Sequence, residues 1–140
     1  MKKILIPFDG SESAMHAVRY AVDLVKERPQ AEVHLLHVVE PLNITTDPDY
    51  WRPDVKAEHL KKGEQTLARA KQAFEDIGVK PTCSVQMGWP HHDIASYVRK
   101  HGCAEIIMGS RGMSPAASFF VGSVASRVLQ YVDCPVTLVK

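Results

Sequence analysis

Residues 105–128 read EIIMGSRGMSPAASFFVGSVASRV, and the architecture of the chain follows from how that run divides. A short apolar segment ends at Gly109, a second glycine follows at Gly112, and after nine further residues Gly122-Ser123 opens a segment with helical spacing. Strand, glycine loop and helix in that order form one unit of an α/β fold, and also the layout of a phosphate cradle. Glycine lets backbone N–H groups come close to a ligand and tolerates positive φ, while a helix N-terminus supplies open donors and a partial positive charge. On spacing alone, Gly109 and Gly112 serve as turn residues, and Gly122 as a loop-to-helix junction, as readily as they serve a ligand. The run lacks the Lys-Ser/Thr ending of the P-loop. It also lacks the close G-x-G of the dinucleotide fingerprint, which belongs after a first strand.

The same alternation extends upstream. Residues 4–8 are a continuous apolar run, as expected of a strand buried on both faces, and Asp9-Gly10-Ser11 breaks it. Ser11 is placed to cap a helix whose Ala14, Ala17, Val18, Ala21, Val22 and Val25 share one face; Pro29 closes that unit. The second strand is expected at 33–39, VHLLHVV. Its His34 and His37 are an odd number of residues apart and so point to opposite faces, which disfavours a metal pair. Residues 41–53 form the one long irregular stretch, containing Asn43, Tyr50 and Trp51, of a length usual for lids and partner contacts. Trp51 either folds over a ligand or packs on the following helix.

Asp54 is expected to cap that helix, with Leu60, Leu67, Phe74 and Ile77 as its apolar stripe and Gly78 as its stop. An alternating strand at 82–87 suits a sheet edge. Gly88-Trp89-Pro90 turns into a helix carrying Ile94, Ala95 and Val98 and stopped at Gly102, with His91 and His92 at its exposed start. The fourth strand, 104–108, feeds the glycine stretch; a brief helical turn at Ser114-Pro115 precedes the helix 122–131, and VTLV, Val136–Val139, is the last strand.

Four β-α repeats and a final strand imply an open, doubly wound, mostly parallel sheet of five strands with four helices over a single domain spanning 1–140, and the strand order expected of it is 3-2-1-4-5. With 45% hydrophobic and 24% charged residues the composition is that of an ordinary globular chain. A formal net charge of +1 gives no overall field for nucleic acid or anionic membrane, so any anion must be held by local geometry. Cys83, Cys103 and Cys134 share no C-x-x-C spacing and read as buried free thiols of a reducing compartment. The apolar run after MKK is too short for a signal-peptide core, and no segment has membrane-spanning length. Cytoplasmic location is the expectation.

Ligands of such sheets bind beyond the carboxyl ends of the strands, where the strand order reverses. In the order 3-2-1-4-5 that point lies between strands one and four, whose ends carry Asp9-Gly10-Ser11 and the 109–112 glycines. Amides around Gly109 and Gly112, and those of Ser123 and Val124, then suit phosphate oxygens. Arg111 is either a phosphate contact or a solvated loop arginine. Asp9 is either an acceptor for sugar hydroxyls or a turn residue. The end of the second strand, at Val38 and Val39, offers a wall for a flat base.

Over essentially its whole length the chain resembles the universal stress protein family. KKILIPFDGSESA is similar to that family's first strand and loop, LLHVVEP to its second strand, and MGWPHHDI to its Gly-x-Pro turn. IIMGSRGMSPAASFFVGSVASRVLQYVDCPVTLVK is similar, without a gap, to the G-x2-G-x9-G-[S/T] motif of the ATP-binding branch. The resemblance implies a Rossmann-like fold of the adenine nucleotide α-hydrolase type and ATP as ligand, with Mg²⁺ accompanying the phosphates. It implies adenine against Val38 and strand-end residues near Pro7, ribose on Asp9, and Met108 among the nucleotide-binding residues. Phosphates would lie on Gly109, Arg111, Gly112, Gly122, Ser123 and Val124. It further implies homodimers paired through the last strand, Val136–Val139.

The glycine stretch holds no carboxylate or glutamine to orient water and no Walker-type lysine, so no catalytic or metal-ligating residue is assigned. The expected activity is that of a regulatory nucleotide-binding dimer in a stress response with little or no hydrolysis. The alternatives are a nucleotide-independent dimeric interaction module and a slow ATP hydrolase.

Overall fold

The computed structural model describes residues 2–40, 52–111 and 121–140. Its elements run β1 (Lys3–Pro7), α1 (Glu12–Lys26), β2 (Glu32–Val39), α2 (Pro53–Glu75), β3 (Thr82–Met87), α3 (Pro90–His101), β4 (Glu105–Gly109), α4 (Ser123–Tyr131) and β5 (Val136–Val139). All four strand pairings are parallel, and the order across the sheet is the expected β3-β2-β1-β4-β5.

Alternation along the strands divides the core into two layers. Ile4, Ile6, Leu35 and Ile107 face α1 and α2, whereas Leu5, Leu36, Ile106 and Met108 face α3 and α4. Burial on both faces explains why the central strands read as unbroken apolar runs. On α2 the buried line is Gly63, Leu67, Ala70 and Phe74; Leu60 and Ile77 are only half-covered. Phe74 is fully buried, which contributes about 1.5–3 kcal/mol and fixes that helix against the sheet.

Local signals set the helix ends. Ser11 caps α1, its Oγ accepting the Ala14 N–H at 3.1 Å, and Gly102 closes α3 in the left-handed region at φ 67. The start of α2 differs from expectation. Arg52, not Asp54, is the N-cap; Pro53 takes the first helical position, and Asp54 sits in the first turn paired with Arg52 at 3.0 Å. Proline's fixed φ and missing N–H favour that first position, which moves the start upstream. β4 runs Glu105–Gly109, one residue later than expected, and the Ala104 N–H before it already bonds the Lys3 carbonyl of β1.

Two side-chain expectations divide. His34 and His37 do point to opposite faces: His34 is buried between Tyr97 Oη at 2.7 Å and Glu32 at 2.9 Å, while His37 Nδ1 donates to the Phe8 carbonyl at 2.8 Å. Cys103 is buried and Cys134 half-buried, and burial pushes both thiols up, so they stay protonated. Cys83 is exposed, contrary to expectation, because β3 is the edge strand of the sheet and its first two residues are uncovered. Among the described residues no helix is long and apolar enough to cross a membrane.

Candidate functional site

β1 and β4 lie side by side at the centre of the sheet, but the chain leaves them in opposite directions, into α1 on one face and towards α4 on the other. That divergence opens a crevice at their carboxyl ends. After β1 the chain turns through Gly10 at φ 84, a conformation that favours glycine. Asp9 Oδ1 accepts the Ser11 N–H at 2.9 Å, an Asx turn that aims the chain into α1. Asp9 is therefore a turn residue in fact. It is also exposed at the crevice, and an ionised carboxylate has lone pairs left for a second partner.

The end of β4 is held by main-chain bonds. The Ser110 N–H donates to the Val139 carbonyl at 2.9 Å, the Arg111 N–H to Ser13 Oγ at 3.2 Å, and the Gly122 N–H to the Ser110 carbonyl at 2.6 Å. These three amides are consequently occupied within the protein. Neither Gly109 nor Gly122 has positive φ; Gly122 has φ −60 and ψ 157, open to any residue. What requires glycine at 109 is space, since a Cβ there would fall within 2.8 Å of the Ala14 amide nitrogen.

The open donors lie further on. Gly122 is the N-cap of α4 and has no side chain to cap it, while its carbonyl accepts the Ser126 N–H at 2.9 Å. The first-turn N–H groups of Ser123, Val124 and Ala125 thus have no intrahelical acceptor, and the first turn of the helix itself carries no acidic residue.

A cavity of about 680 Å³ fills the crevice, within the range of small-molecule sites. Pro7, Asp9, Val38, Met108, Gly109, Arg111, Gly122, Ser123 and Val124 all line it; Gly112 lies outside the described residues, as do Trp51 and Ser114-Pro115. Its lining is mixed: apolar Pro7, Leu36, Val38, Ile94 and Met108 occur together with Arg111 and the start of α4. Arg111 is the one Lys or Arg among the described lining residues. His91 and His92 do not line it, and no group of three or more potential metal ligands occurs among the described residues.

Sequence reasoning missed Ile94, Ser110, Ala125 and Glu40 in the lining. Ile94 was legible as a helix-stripe residue, but its position at the helix start, where the stripe reaches the strand ends, is a tertiary fact. Ser110 lies between two residues singled out and carried no signal of its own.

The cavity of mixed lining lies at the switch point of a doubly wound α/β sheet, the place where ligands of such sheets generally bind. The sequence model of the Universal stress protein family matches residues 1–140, and the chain belongs to that family. It is 33% identical to universal stress protein YxiE of Bacillus subtilis, over 99% of this chain and 98% of that protein. It is 34% identical to universal stress protein MJ0531 of Methanocaldococcus jannaschii, over 99% of this chain and 82% of that protein. The solved structure of MJ0577, from the same organism, superposes with a TM-score of 0.88 at 31% identity, covering 99% of this chain and 95% of that one. At lower identity, two complexes share the fold. One is the universal stress protein from Archaeoglobus fulgidus with dAMP, with a TM-score of 0.73 and 20% identity over 100% of this chain and 98% of that one. The other is a universal stress protein with cAMP, with a TM-score of 0.74 and 21% identity over 99% of this chain and 97% of that one.

Proposed function

We propose that this chain is a regulatory nucleotide-binding protein that holds ATP in the crevice between β1 and β4, works as a homodimer in the cytoplasm, and hydrolyses the nucleotide slowly or not at all. The observation that carries the reading is the polarity of the cavity. Its apolar strand-end residues suit a base, Asp9 suits ribose hydroxyls, and the uncapped start of α4 with Arg111 suits phosphates. Adenine as the base accords with the dAMP and cAMP found in two proteins of the same fold.

The main-chain bonds of Ser110, Arg111 and Gly122 shift the phosphate role towards the amides of Ser123 and Val124 and, for Arg111, towards its guanidinium. Mg²⁺ would neutralise phosphate charge while keeping most of its waters, with Asp9 and Glu40 the two carboxylates lining the cavity. Slow turnover is the expectation because residues 109–124 hold no carboxylate or glutamine to orient water, and Arg111 stabilises charge without doing so. β5 is the second edge of the sheet, and its open side supports antiparallel pairing through Val136–Val139.

Calorimetric titration with ATP in excess Mg²⁺ tests the reading, with one nucleotide bound per chain expected and no binding at millimolar ATP contradicting it. Analysis of the incubated nucleotide separates binding from turnover: accumulation of AMP and pyrophosphate would make the protein a hydrolase. One observation favours a second reading, a nucleotide-independent interaction module. The glycine at 109 is accounted for by contact with α1 alone. A dimer that forms equally well with and without nucleotide, and that binds none, would establish that module.

A further inference from the structure

Ser13 is buried in the first turn of α1, on the face turned to the sheet. Its hydroxyl is used twice. Oγ accepts the Arg111 N–H at 3.2 Å and donates to the Val139 carbonyl at 3.3 Å, the carbonyl that also receives the Ser110 N–H at 2.9 Å. The Ser110 carbonyl in turn receives the Gly122 N–H at 2.6 Å. Both flanks of the segment joining β4 to α4 are therefore tied, through one serine and one carbonyl, to the start of α1 and the end of β5.

The absence of a Cβ at Gly109 is what lets Ser13 come this close, since the nearest atoms such a carbon would meet are Ser13 Oγ and the Ser13 carbonyl carbon. Ser13 does not line the cavity. Its reach into the site is through the Ser110–Arg111 peptide, whose orientation sets where the Arg111 side chain leaves the chain.

We propose that Ser13 is a positioning residue for the phosphate end of the cavity: its hydroxyl fixes the peptide from which Arg111 projects. This rests on the nucleotide reading above and deepens it. Replacing the hydroxyl by hydrogen leaves the Arg111 N–H without its acceptor in a part-buried place, and the peptide turns to find another. Adenine and ribose contacts, at Val38 and Asp9, are carried by other elements and are untouched.

The test is the affinity of Ser13→Ala for ATP and for adenosine, with the thermal midpoint of the variant read alongside. ATP is expected to bind about tenfold more weakly, the scale of one hydrogen bond lost at a binding group, with adenosine unchanged within about twofold. In an Arg111→Ala background the same change should weaken ATP by less than about twofold, because the two residues act as a unit. Unchanged ATP affinity, equal weakening of ATP and adenosine, or full additivity with Arg111→Ala would each overturn the proposal. A lowered thermal midpoint with the two ligands affected alike identifies a purely structural serine and overturns it as well. Failure of the wild-type protein to bind ATP contradicts the nucleotide reading itself, a result distinct from any change in these ratios.

Discussion

Gly109 and Ser13 touch so closely that a Cβ on the glycine would stand 2.6 Å from the serine hydroxyl oxygen and 2.7 Å from its carbonyl carbon. The obstacle is backbone as well as side chain, so α1 must move if residue 109 grows. Gly109→Ala is expected to destabilise the fold by about 1–3 kcal/mol, the usual cost of overpacking, and to weaken ATP through the displaced Arg111 peptide. Urea denaturation and an ATP titration check the two effects. A variant of native stability would mean that α1 and β4 are less tightly apposed than described.

Asp9 has two roles that substitution separates. Asparagine retains a side-chain oxygen for the Ser11 N–H and loses the charge, whereas alanine loses both. Asp9→Asn should keep the wild-type unfolding midpoint and lose ATP affinity; Asp9→Ala should lose about 1 kcal/mol of stability with the turn bond, and the same ligand affinity. Paired thermal melts and titrations decide it. Wild-type affinity in Asp9→Asn would confine Asp9 to the turn.

The fold was largely legible because its signals are local. Unbroken apolar runs such as 4–8, helix stripes such as Ala14 to Val25, and the Ser11 cap are each written within a few residues, and βα alternation leaves few topologies. The site was legible only as a set of loops. Strand order brought Asp9 and Gly109 to one crevice, but no spacing shows that the Arg111 amide spends itself on Ser13, 98 residues away. The same distance hid the reason for Gly109. A glycine required by a ligand and one required by a packed helix leave the same letter, and only the position of α1 distinguishes them.

Gly122 offers the converse case. Its φ of −60 and ψ of 157 are open to a branched residue, although glycine is a better N-cap than valine. Gly122→Val should cost about 1 kcal/mol, a few degrees of thermal midpoint, and leave the protein folded, while placing two methyl groups at the start of α4 and reducing ATP affinity at least tenfold. Retained affinity in a folded variant would place the phosphates elsewhere.

Acid should weaken the fold through His101. Its ring stacks on Tyr97 at 4.0 Å and lies 5.8 Å from His34, with Lys3 bonded to its carbonyl. Desolvation first, then His34, Lys100 and Lys3, hold its pKa below the ordinary value. The unfolded chain then takes up a proton more readily than the folded one. Stability from this residue is whole above about pH 6.5 and is lost as pH falls from there through the lower folded value. The unfolding midpoint of His101→Phe should fall less steeply than that of the wild type between pH 7 and 5, approximately the window in which free histidine titrates. Parallel curves for the two proteins would show that His101 contributes nothing to the acid limb.

The central claim, that the crevice between β1 and β4 is a nucleotide site with phosphates at the start of α4, is tested most directly by the amide spectrum of the ¹⁵N-labelled protein during an ATP titration. The largest shifts are expected at Ser123, Val124 and Ala125, whose first-turn amides have no intrahelical acceptor, with a second group at Asp9 and Val38. Adenosine should move the second group alone. A spectrum unchanged at millimolar ATP, or shifts confined to residues away from the cavity, would contradict the account.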